Sequence, residues 1–285
     1  MFLRRQGLFS LRIPLLIPTP MSYEKLKEII GNMGKVMIAF SGGVDSGTLL
    51  ATAVRVLGKE NVIAGTIKSP LESEDDLEEA RKLCNMLGVE QVIVEEDIAP
   101  LSHNPPERCY ICKMITYRRL WEEAKRRGIN YLLDGTNVDD FSDYRPGLRA
   151  KEELGVRSPL AEAGMGKEEV RELAKNMGLP NWDKPSSPCL ASRIPFGERI
   201  TLEKLKMIEE GEKFIKSLGL KDVRVRCHSD GELARIEARE EDMEKIWKNR
   251  EKIEGKLSEI GFRYVALDLK GYRMGSLNPR KGGKG

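Results

Sequence analysis

The sequence is short of several features that would assign it to a specialised class. No apolar run approaches the length of about 20 residues that a transmembrane helix needs. The chain has 48 Lys and Arg residues against 45 Asp and Glu, a formal net charge of only +3, with 33% charged and 40% hydrophobic residues. Such a balance is typical of a soluble globular protein and gives no sign of a strongly anionic partner. We therefore expect neither a membrane nor a nucleic-acid partner, although local basic clusters can still bind a nucleotide or RNA.

Histidine is scarce, which limits the metal sites that the chain can form. Only His103 and His228 carry imidazoles, and the five cysteines include one Cys-x-x-Cys pair. A structural zinc site needs four ligands, usually supplied as two such pairs. The sequence therefore disfavours zinc.

The first 20 residues lack the pattern of a secretory signal peptide. Arg12 and Pro14 interrupt their apolar run, and no small-x-small cleavage site follows. Because Met21 starts a helix-like pattern, residues 1–20 are predicted to be a disordered leader or an over-extended start. The basic tail at 276–285 is predicted to be disordered as well.

Strand and helix patterns alternate along most of the chain. Helices are predicted at 22–33, 46–57, 74–87, 111–127 and 167–177, and strands at 36–40, 61–67, 91–95 and 130–134. Strands separated by helices indicate right-handed crossovers and a parallel sheet, hence an α/β, Rossmann-like domain over 21–197. A smaller α+β domain is predicted over 198–275, with helices at 201–217 and 240–258 and strands at 222–228, 233–239 and 262–269.

A glycine-rich loop follows the first predicted strand. Residues 36–48 read VMIAFSGGVDSGT, without the Gly-x-Gly-x-x-Gly of dinucleotide folds or the Gly-Lys-Ser/Thr of Walker loops. A glycine pair between hydroxyl residues lets backbone N–H groups converge at a helix N-terminus, where a phosphate is favoured. A plain turn is the alternative, but the strand–loop–helix setting favours phosphate. The candidate ligands are Ser41, Gly42, Gly43 and Ser46, with Asp45 as the residue that orients Mg²⁺ or caps the helix.

A second polar turn follows the predicted strand at 130–134. The segment LLDGTNVDDFSDYRPG offers Gly135, Thr136 and Asn137 at the carboxyl end of the sheet, where α/β folds bind ligands. Asp143 and Arg145 add an acid and an anion donor further along the turn. A solvated loop is the alternative, but so many polar groups directly after a core strand favour a binding role.

Three of the cysteines are candidates for one metal cluster. Cys109 and Cys112 form the pair in ERCYICK, and Cys189 lies in the loop SSPCLASR. Three thiolates leave one position of a four-iron cluster open for a ligand such as sulfide, although the pair alone could also be a redox couple. Cys189 has an arginine nearby that would favour the nucleophilic thiolate. Cys84 and Cys227 lie in apolar patterns and are predicted to be core residues.

Alternate residues of a strand in the second domain carry cations. In DVRVRCHSDGELARIEARE, the period of two places Arg224, Arg226 and His228 on one face, and Arg235 and Glu237 alternate similarly on the next strand. Arginines in register can bind a phosphate. A solvated face paired with glutamates is the alternative.

Taken together, these segments and the terminal GYRMGSLN resemble the ATP-dependent sacrificial sulfur transferase family of the PP-loop pyrophosphatases. That family builds the sulfur arms of a nickel-pincer nucleotide cofactor. The resemblance, from Met21 to about Asn278, implies that a carboxylate of a pyridinium mononucleotide is adenylated by MgATP and then attacked by sulfur, with release of AMP. It also implies a nucleotide substrate and a homo-oligomer. An ATP-using enzyme with unpaired cysteines is expected in the cytoplasm, where thiols stay reduced.

The resemblance assigns roles to particular residues. It implies Cys189 as the sulfur-bearing residue, and Cys109 and Cys112 place the chain with members that transfer a sulfide bound to a four-iron cluster rather than a sacrificed cysteine sulfur. The residues implied for the substrate phosphate are Arg193, Arg224 and Arg226. Two alternatives stay open: a tRNA thiolase, for which no added RNA-binding module is evident, and an amidotransferase-type synthetase fed with ammonia.

Overall fold

The computed structural model describes residues 21–142, 146–185, 188–220, 222–273 and 275–277. The predictions for residues 1–20, for Asp143 and Arg145, and for the tail beyond residue 277 lie outside the described residues. No helix among the described ranges is long and apolar enough to cross a membrane.

The first part of the chain forms a parallel sheet covered by helices on both faces. Its strands lie in the order β3-β2-β1-β4, and every pair is parallel. This confirms the α/β, Rossmann-like prediction. The elements are α1 (Met21–Gly31), β1 (Val36–Ala39), α2 (Val44–Leu57), β2 (Val62–Lys68), α3 (Glu74–Leu87), β3 (Glu90–Glu95), α4 (Arg108–Arg126), β4 (Leu132–Leu133), α5 (Pro146–Glu153), α6 (Pro159–Glu162) and α7 (Lys167–Asn176).

Strand β1 lies in the middle of this sheet and contributes to the core on both faces. Val36 and Ile38 are buried in a core with residues of α1, α2 and α7, while Met37 is buried among residues of α4. Side chains alternate between the faces of a strand, so a continuous apolar run is what a doubly covered strand requires. The loop after β1 therefore starts from the most firmly held part of the domain.

The second part forms a smaller sheet with its own helices. Strand β5 (Arg224–His228) pairs antiparallel with β6 (Leu233–Glu237), which pairs parallel with β7 (Tyr264–Leu267). The helices are α8 (Leu202–Ser217), α9 (Met243–Lys248) and α10 (Arg250–Ile260). The prediction of one helix over 240–258 is wrong, because the helix is interrupted at Asn249, between α9 and α10.

The second core extends beyond residues 198–275. Leu190, Ala191 and Ile194, which the predicted boundary places in the first domain, are buried in this core together with Leu71 and Ile98. The loop that carries Cys189 thus packs on the second sheet while its preceding segment follows α7. This loop therefore joins the two parts of the molecule.

Candidate active site

The loop between β1 and α2 has the shape of a phosphate cradle. Gly42 has a φ of +75°, a conformation that favours glycine. A Cβ at Gly42 would lie 3.0 Å from the carbonyl oxygen of Asp76. The hydroxyls of Ser41 and Ser46 lie 3.2 Å apart across the loop, and the N–H of Gly43 donates to Ser41 Oγ at 3.4 Å. The first turn of α2 starts here, so its free N–H groups lie beside two hydroxyls.

The turn after β4 packs directly on the start of α2. A Cβ at Gly135 would lie 2.6 Å from the backbone nitrogen of Ser46 and 2.9 Å from the carbonyl carbon of Asp45. The side chain of Asn137 hydrogen-bonds to the Asp45 carboxylate and accepts from the N–H of Asp139 at 3.0 Å. The structure thus brings together the two polar loops that the sequence placed at one sheet edge.

Asp45 lies in an environment that disfavours its charge. Burial raises the pKa of its carboxyl and Asp140 raises it further, while Lys167, Arg171 and the hydrogen bond from Asn137 act in the opposite direction. An acid held at this cost beside a phosphate cradle is a functional candidate. A divalent cation at this carboxylate would offset the penalty. Asp45 is the second residue of α2, while Gly43 occupies the cap position, so the structure does not assign Asp45 the capping role.

Thr136 is engaged in a buried network around Asp134. Asp134 accepts hydrogen bonds from the hydroxyls of Thr136 and Tyr117, both at 2.9 Å, and from Ser158 Oγ at 2.6 Å. Lys151 Nζ donates to Ser158 Oγ at 2.7 Å. Buried polar groups with this many partners fix a turn in one conformation. These hydrogen bonds hold the turn after β4, which packs on the first turn of α2.

The three candidate cluster cysteines share one neighbourhood. Cys109 is exposed near the start of α4, whereas Cys112 and Cys189 are half-buried and pack against the second core. Burial, together with the neighbouring Cys189 and Cys109, raises the pKa of the Cys112 thiol to about 12. The N–H of Leu190 donates to the carbonyl of Leu71 at 2.8 Å, which fixes the Cys189 loop beside the segment after β2.

The arginine predicted to favour the Cys189 thiolate is present, but it does not decide the pKa of the thiol. Burial raises the pKa of its thiol, and the charges of Cys109 and Glu72 add to the rise. Arg108 and Arg193 oppose it without reversing it. The cation that the sequence suggested is present, but desolvation outweighs it.

Arg193 is committed to contacts within the protein. Its Nε and Nη2 donate to the two carboxylate oxygens of Glu212, both at 2.8 Å, and both side chains are buried. Its Nη1 donates to the carbonyls of Pro188 at 2.6 Å and Cys189 at 3.2 Å. Glu212 Oε1 also accepts from the N–H of Val225 at 3.1 Å. These contacts make Arg193 a residue that fixes the Cys189 loop on β5.

Arg224 and Arg226 lie in a buried cluster of mixed charge. Arg226 donates from Nε and Nη2 to Glu237, which is 0% exposed, and from Nη1 to the carbonyl of Ser192 at 2.9 Å. Arg224 packs over the ring of Tyr272. Burial lowers the pKa of Arg224, as do the charges of Arg193 and Arg226. The face is therefore buried rather than solvated, and its guanidinium groups repel one another.

Two residues that the sequence analysis missed interact with the candidate site residues. Lys113 interacts electrostatically with Asp134 at the end of β4 and with Cys112. Glu72 accepts a hydrogen bond from Ser69 and raises the pKa of both Cys112 and Cys189. The available signals were the position of Glu72 after β2, at the binding edge of the sheet, and that of Lys113 next to Cys112.

Comparisons with known proteins agree with this arrangement. A family model described as NAD synthase matches residues 23–105. An uncharacterised protein of Synechocystis sp. is 41% identical over 260 residues, covering 90% of this chain and 96% of that protein. The pyridinium-3,5-bisthiocarboxylic acid mononucleotide synthase of Lactiplantibacillus plantarum is 38% identical over 256 residues, 89% of this chain and 92% of that protein. The NH3-dependent NAD+ synthetase of Thermococcus kodakarensis is 30% identical over 163 residues, 55% of this chain and 62% of that protein.

The parallel sheet and the loop after β1 define the class, an enzyme with a PP-loop domain of the NAD synthase type. Within that class, the match over nearly the whole chain is decisive. The chain belongs to the family of the Lactiplantibacillus plantarum pyridinium-3,5-bisthiocarboxylic acid mononucleotide synthase.

Proposed function

We propose that this protein is an ATP-dependent sulfur transferase that makes a thiocarboxylate on a pyridinium dicarboxylate mononucleotide, a step in the synthesis of the nickel-pincer nucleotide cofactor. The observation that carries the proposal is that one molecule contains both a phosphate cradle and three neighbouring thiols. Lys113 interacts electrostatically with Cys112 and with Asp134, and the turn that follows Asp134 packs on the first turn of α2. The printed name of the Lactiplantibacillus relative, a bisthiocarboxylic acid mononucleotide synthase, supports the same product.

The cradle serves the adenylation half-reaction. A carboxylate oxygen of the substrate attacks the α-phosphorus of ATP, and pyrophosphate leaves. The hydroxyls of Ser41 and Ser46 and the N–H groups of the first turn of α2 hold the leaving pyrophosphate, where the helix dipole favours negative charge. Asp45 would hold Mg²⁺, which balances the charge of the triphosphate.

The three cysteines take part in the second half-reaction, the transfer of sulfur. A sulfur nucleophile attacks the carbonyl carbon of the acyl-adenylate, a C–S bond forms, and the C–O bond to AMP breaks. No group of three or more His, Cys, Asp or Glu in the described ranges could hold a single metal ion. Each cysteine of a four-iron cluster binds a different iron, so the three thiols need not meet at a single point. Cys109, Cys112 and Cys189 are close enough to interact electrostatically with one another. Such a cluster would leave one iron open to carry the sulfide to be transferred.

Arg108 contributes a buried cation to this neighbourhood. Its Nη1 donates to Asn104 and to the carbonyl of Ala191 at 3.1 Å, and its charge lowers the pKa of Cys189. Thiolates bound to iron carry negative charge that burial opposes, and a fixed cation offsets this cost.

The arginine cluster on β5 would bind the phosphate of the acceptor nucleotide. Its cations outnumber its carboxylates, and Arg193 and Arg226 lower the pKa of Arg224. An anion is the ligand that relieves such repulsion. The cluster comprises Arg193, Arg224, Arg226 and Arg235 with Glu212, Glu237 and Asp268.

A cytoplasmic location and self-association complete the proposal. Five free cysteines suit a reducing compartment. An ammonia-fed synthetase would have no use for the three thiols, and the small net charge does not favour a tRNA substrate.

The test of this function is AMP formation from ATP with the pyridinium dicarboxylate mononucleotide as acceptor. Ser41→Ala and Asp45→Ala are expected to lose AMP formation while the protein stays folded, because Ser41 is exposed in the loop and Asp45, in the first turn of α2, is not part of the hydrophobic core. Unchanged AMP release in both variants would remove the cradle from the mechanism. Replacing any one of Cys109, Cys112 or Cys189 by Ala is expected to abolish iron retention and sulfur transfer and to leave adenylation intact.

A further inference from the structure

Asn181 connects the segment after α7 to the phosphate cradle. Its side-chain Nδ2 donates to the carbonyl oxygen of Gly42 at 3.1 Å. The same nitrogen lies 3.3 Å from the position of a Cβ at Gly47, so the amide packs on the first turns of α2. The sequence analysis treated this segment only as a connecting loop.

The bond to Gly42 fixes the orientation of one peptide plane. In a trans peptide the carbonyl and the following N–H point in opposite directions. Because the Gly42 carbonyl is turned towards Asn181, the Gly43 N–H is turned to the other side, where it donates to Ser41 Oγ at 3.4 Å. Two consecutive glycines leave this plane free to rotate at little steric cost, so it needs an external bond to stay in place.

The segment that carries Asn181 is itself clamped on both sides. Arg171 of α7 donates from Nη1 to the carbonyl of Trp182 at 3.2 Å and from Nη2 to that of Lys184 at 2.8 Å. Lys184 Nζ in turn donates to Asp76 Oδ1 of α3 at 2.7 Å. Asn181 is therefore presented to Gly42 from a short backbone stretch held between two helices.

The other end of the amide gives a second, independent sign of a functional role. Asn181 Oδ1 is buried and has no hydrogen-bond partner among the described residues. An unpaired buried acceptor costs stability. A residue kept only for packing would be better replaced by an apolar one.

We propose that Asn181 is a positioning residue for ATP, which holds the Gly42–Gly43 peptide so that the Gly43 N–H faces the hydroxyl of Ser41, one of the two hydroxyls assigned to the pyrophosphate. The inference rests on the proposed function of the cradle and adds a residue from outside it. The same backbone leads on to Cys189, so the residue that orients the phosphate loop and the sulfur site belong to one stretch of chain.

The experiment measures MgATP and AMP binding by calorimetry on the full chain with Asn181→Ala, Asn181→Asp and the neighbouring control Trp182→Leu. Loss of one neutral hydrogen bond predicts MgATP binding about threefold to tenfold weaker in Asn181→Ala. AMP binding should be unchanged, because AMP lacks the pyrophosphate, and the unfolding midpoint should not fall. Asn181→Asp should bind MgATP more weakly still, and this extra loss should shrink as the pH is lowered and the new carboxyl is protonated. Trp182→Leu, which removes only the ring under Lys175, should behave as wild type.

Three results would overturn the inference. Wild-type MgATP affinity in Asn181→Ala would show that the bond does not position the loop. Equal losses for MgATP and AMP, with a lower unfolding midpoint, would show a merely structural residue. Failure of the wild-type chain to bind MgATP would refute the proposed function, and the inference with it, whereas the first two results leave that function standing.

Discussion

Gly135 is the residue at which the two polar loops come closest. An added Cβ would meet the backbone of Ser46 at 2.6 Å, and backbone atoms in a helix start cannot move aside as a flexible side chain can. Overpacking of this kind costs about 1–3 kcal/mol. The contact therefore fixes how the turn after β4 lies on the cradle.

Gly135→Ala is accordingly expected to lower the free energy of unfolding by about 1–3 kcal/mol and to weaken MgATP binding. Urea denaturation and calorimetry would measure the two effects. Gly255→Ala is the matched control, since no atom lies within 4 Å of a Cβ there and the residue is in α10. That change should be neutral or stabilise by about 0.5–1 kcal/mol. Equal behaviour of the two variants would contradict the close contact.

The ionised carboxylate of Asp45, which the proposed function needs, costs the folded protein stability. Burial and Asp140 raise its pKa in the folded protein, so its ionisation is harder there than in the unfolded chain. The contribution of this group to stability is fully present below the unfolded pKa and is lost as the pH rises through the folded pKa.

Asp45→Asn should therefore become more stable relative to wild type as the pH rises from about 3 to neutral, while AMP formation is lost. The amide can still accept the hydrogen bond from Asn137. Denaturation at a series of pH values, paired with an AMP assay, would measure both. A stability difference that does not change with pH would show that the carboxyl is not held at an energetic cost.

Helix α4 sets the accessibility of the cysteine pair. Its period places Cys109 on the exposed side and Cys112 against the second core, although the two are three residues apart. The helix begins at Arg108, earlier than the predicted start at 111, so both cysteines belong to its first turns.

In reduced, iron-free protein, iodoacetamide is expected to modify Cys109 first and the core cysteines last. Burial raises the pKa of Cys84 to about 12 and that of Cys227 to about 11, so neither is accessible or ionised at neutral pH. Peptide mass spectrometry at increasing times would give the order. Modification of Cys84 as fast as Cys109 would contradict the packing of α3 on the sheet.

Among the elements, those with strong periodicity could be predicted and short or polar ones could not. Strand β1, the cradle and α2 follow from an apolar run, two glycines and an apolar helix. Helices α5 and α6, of 8 and 4 residues, carry too little pattern to be recognised. The alternation on β5 predicted that Arg224 and Arg226 share a face, but the pairing of Arg193 with Glu212 of α8 depends on tertiary packing that a strand period does not encode.

At the scale of the whole molecule, two cores meet at the Cys189 loop. On the side of the first domain, Arg171 binds the carbonyl of Lys184, and Lys184 binds Asp76 of α3. On the side of the second domain, Arg193 binds Glu212 of α8. The segment was predicted only as a loop rich in Pro, Ser and Gly, because its role as a connection is visible only when both cores are known.

The central claim is that one chain couples AMP release to sulfur transfer, and a single turnover tests it most directly. Anaerobically prepared protein with MgATP and the pyridinium dicarboxylate mononucleotide would be analysed by mass spectrometry for both product and protein. The account predicts one AMP for each oxygen replaced by sulfur, with Cys189 unchanged in mass because the transferred sulfide does not come from its thiol. AMP release without sulfur in the product would contradict the function. A protein lighter by one hydrogen sulfide at Cys189, with no iron needed, would instead show that the cysteine is sacrificed.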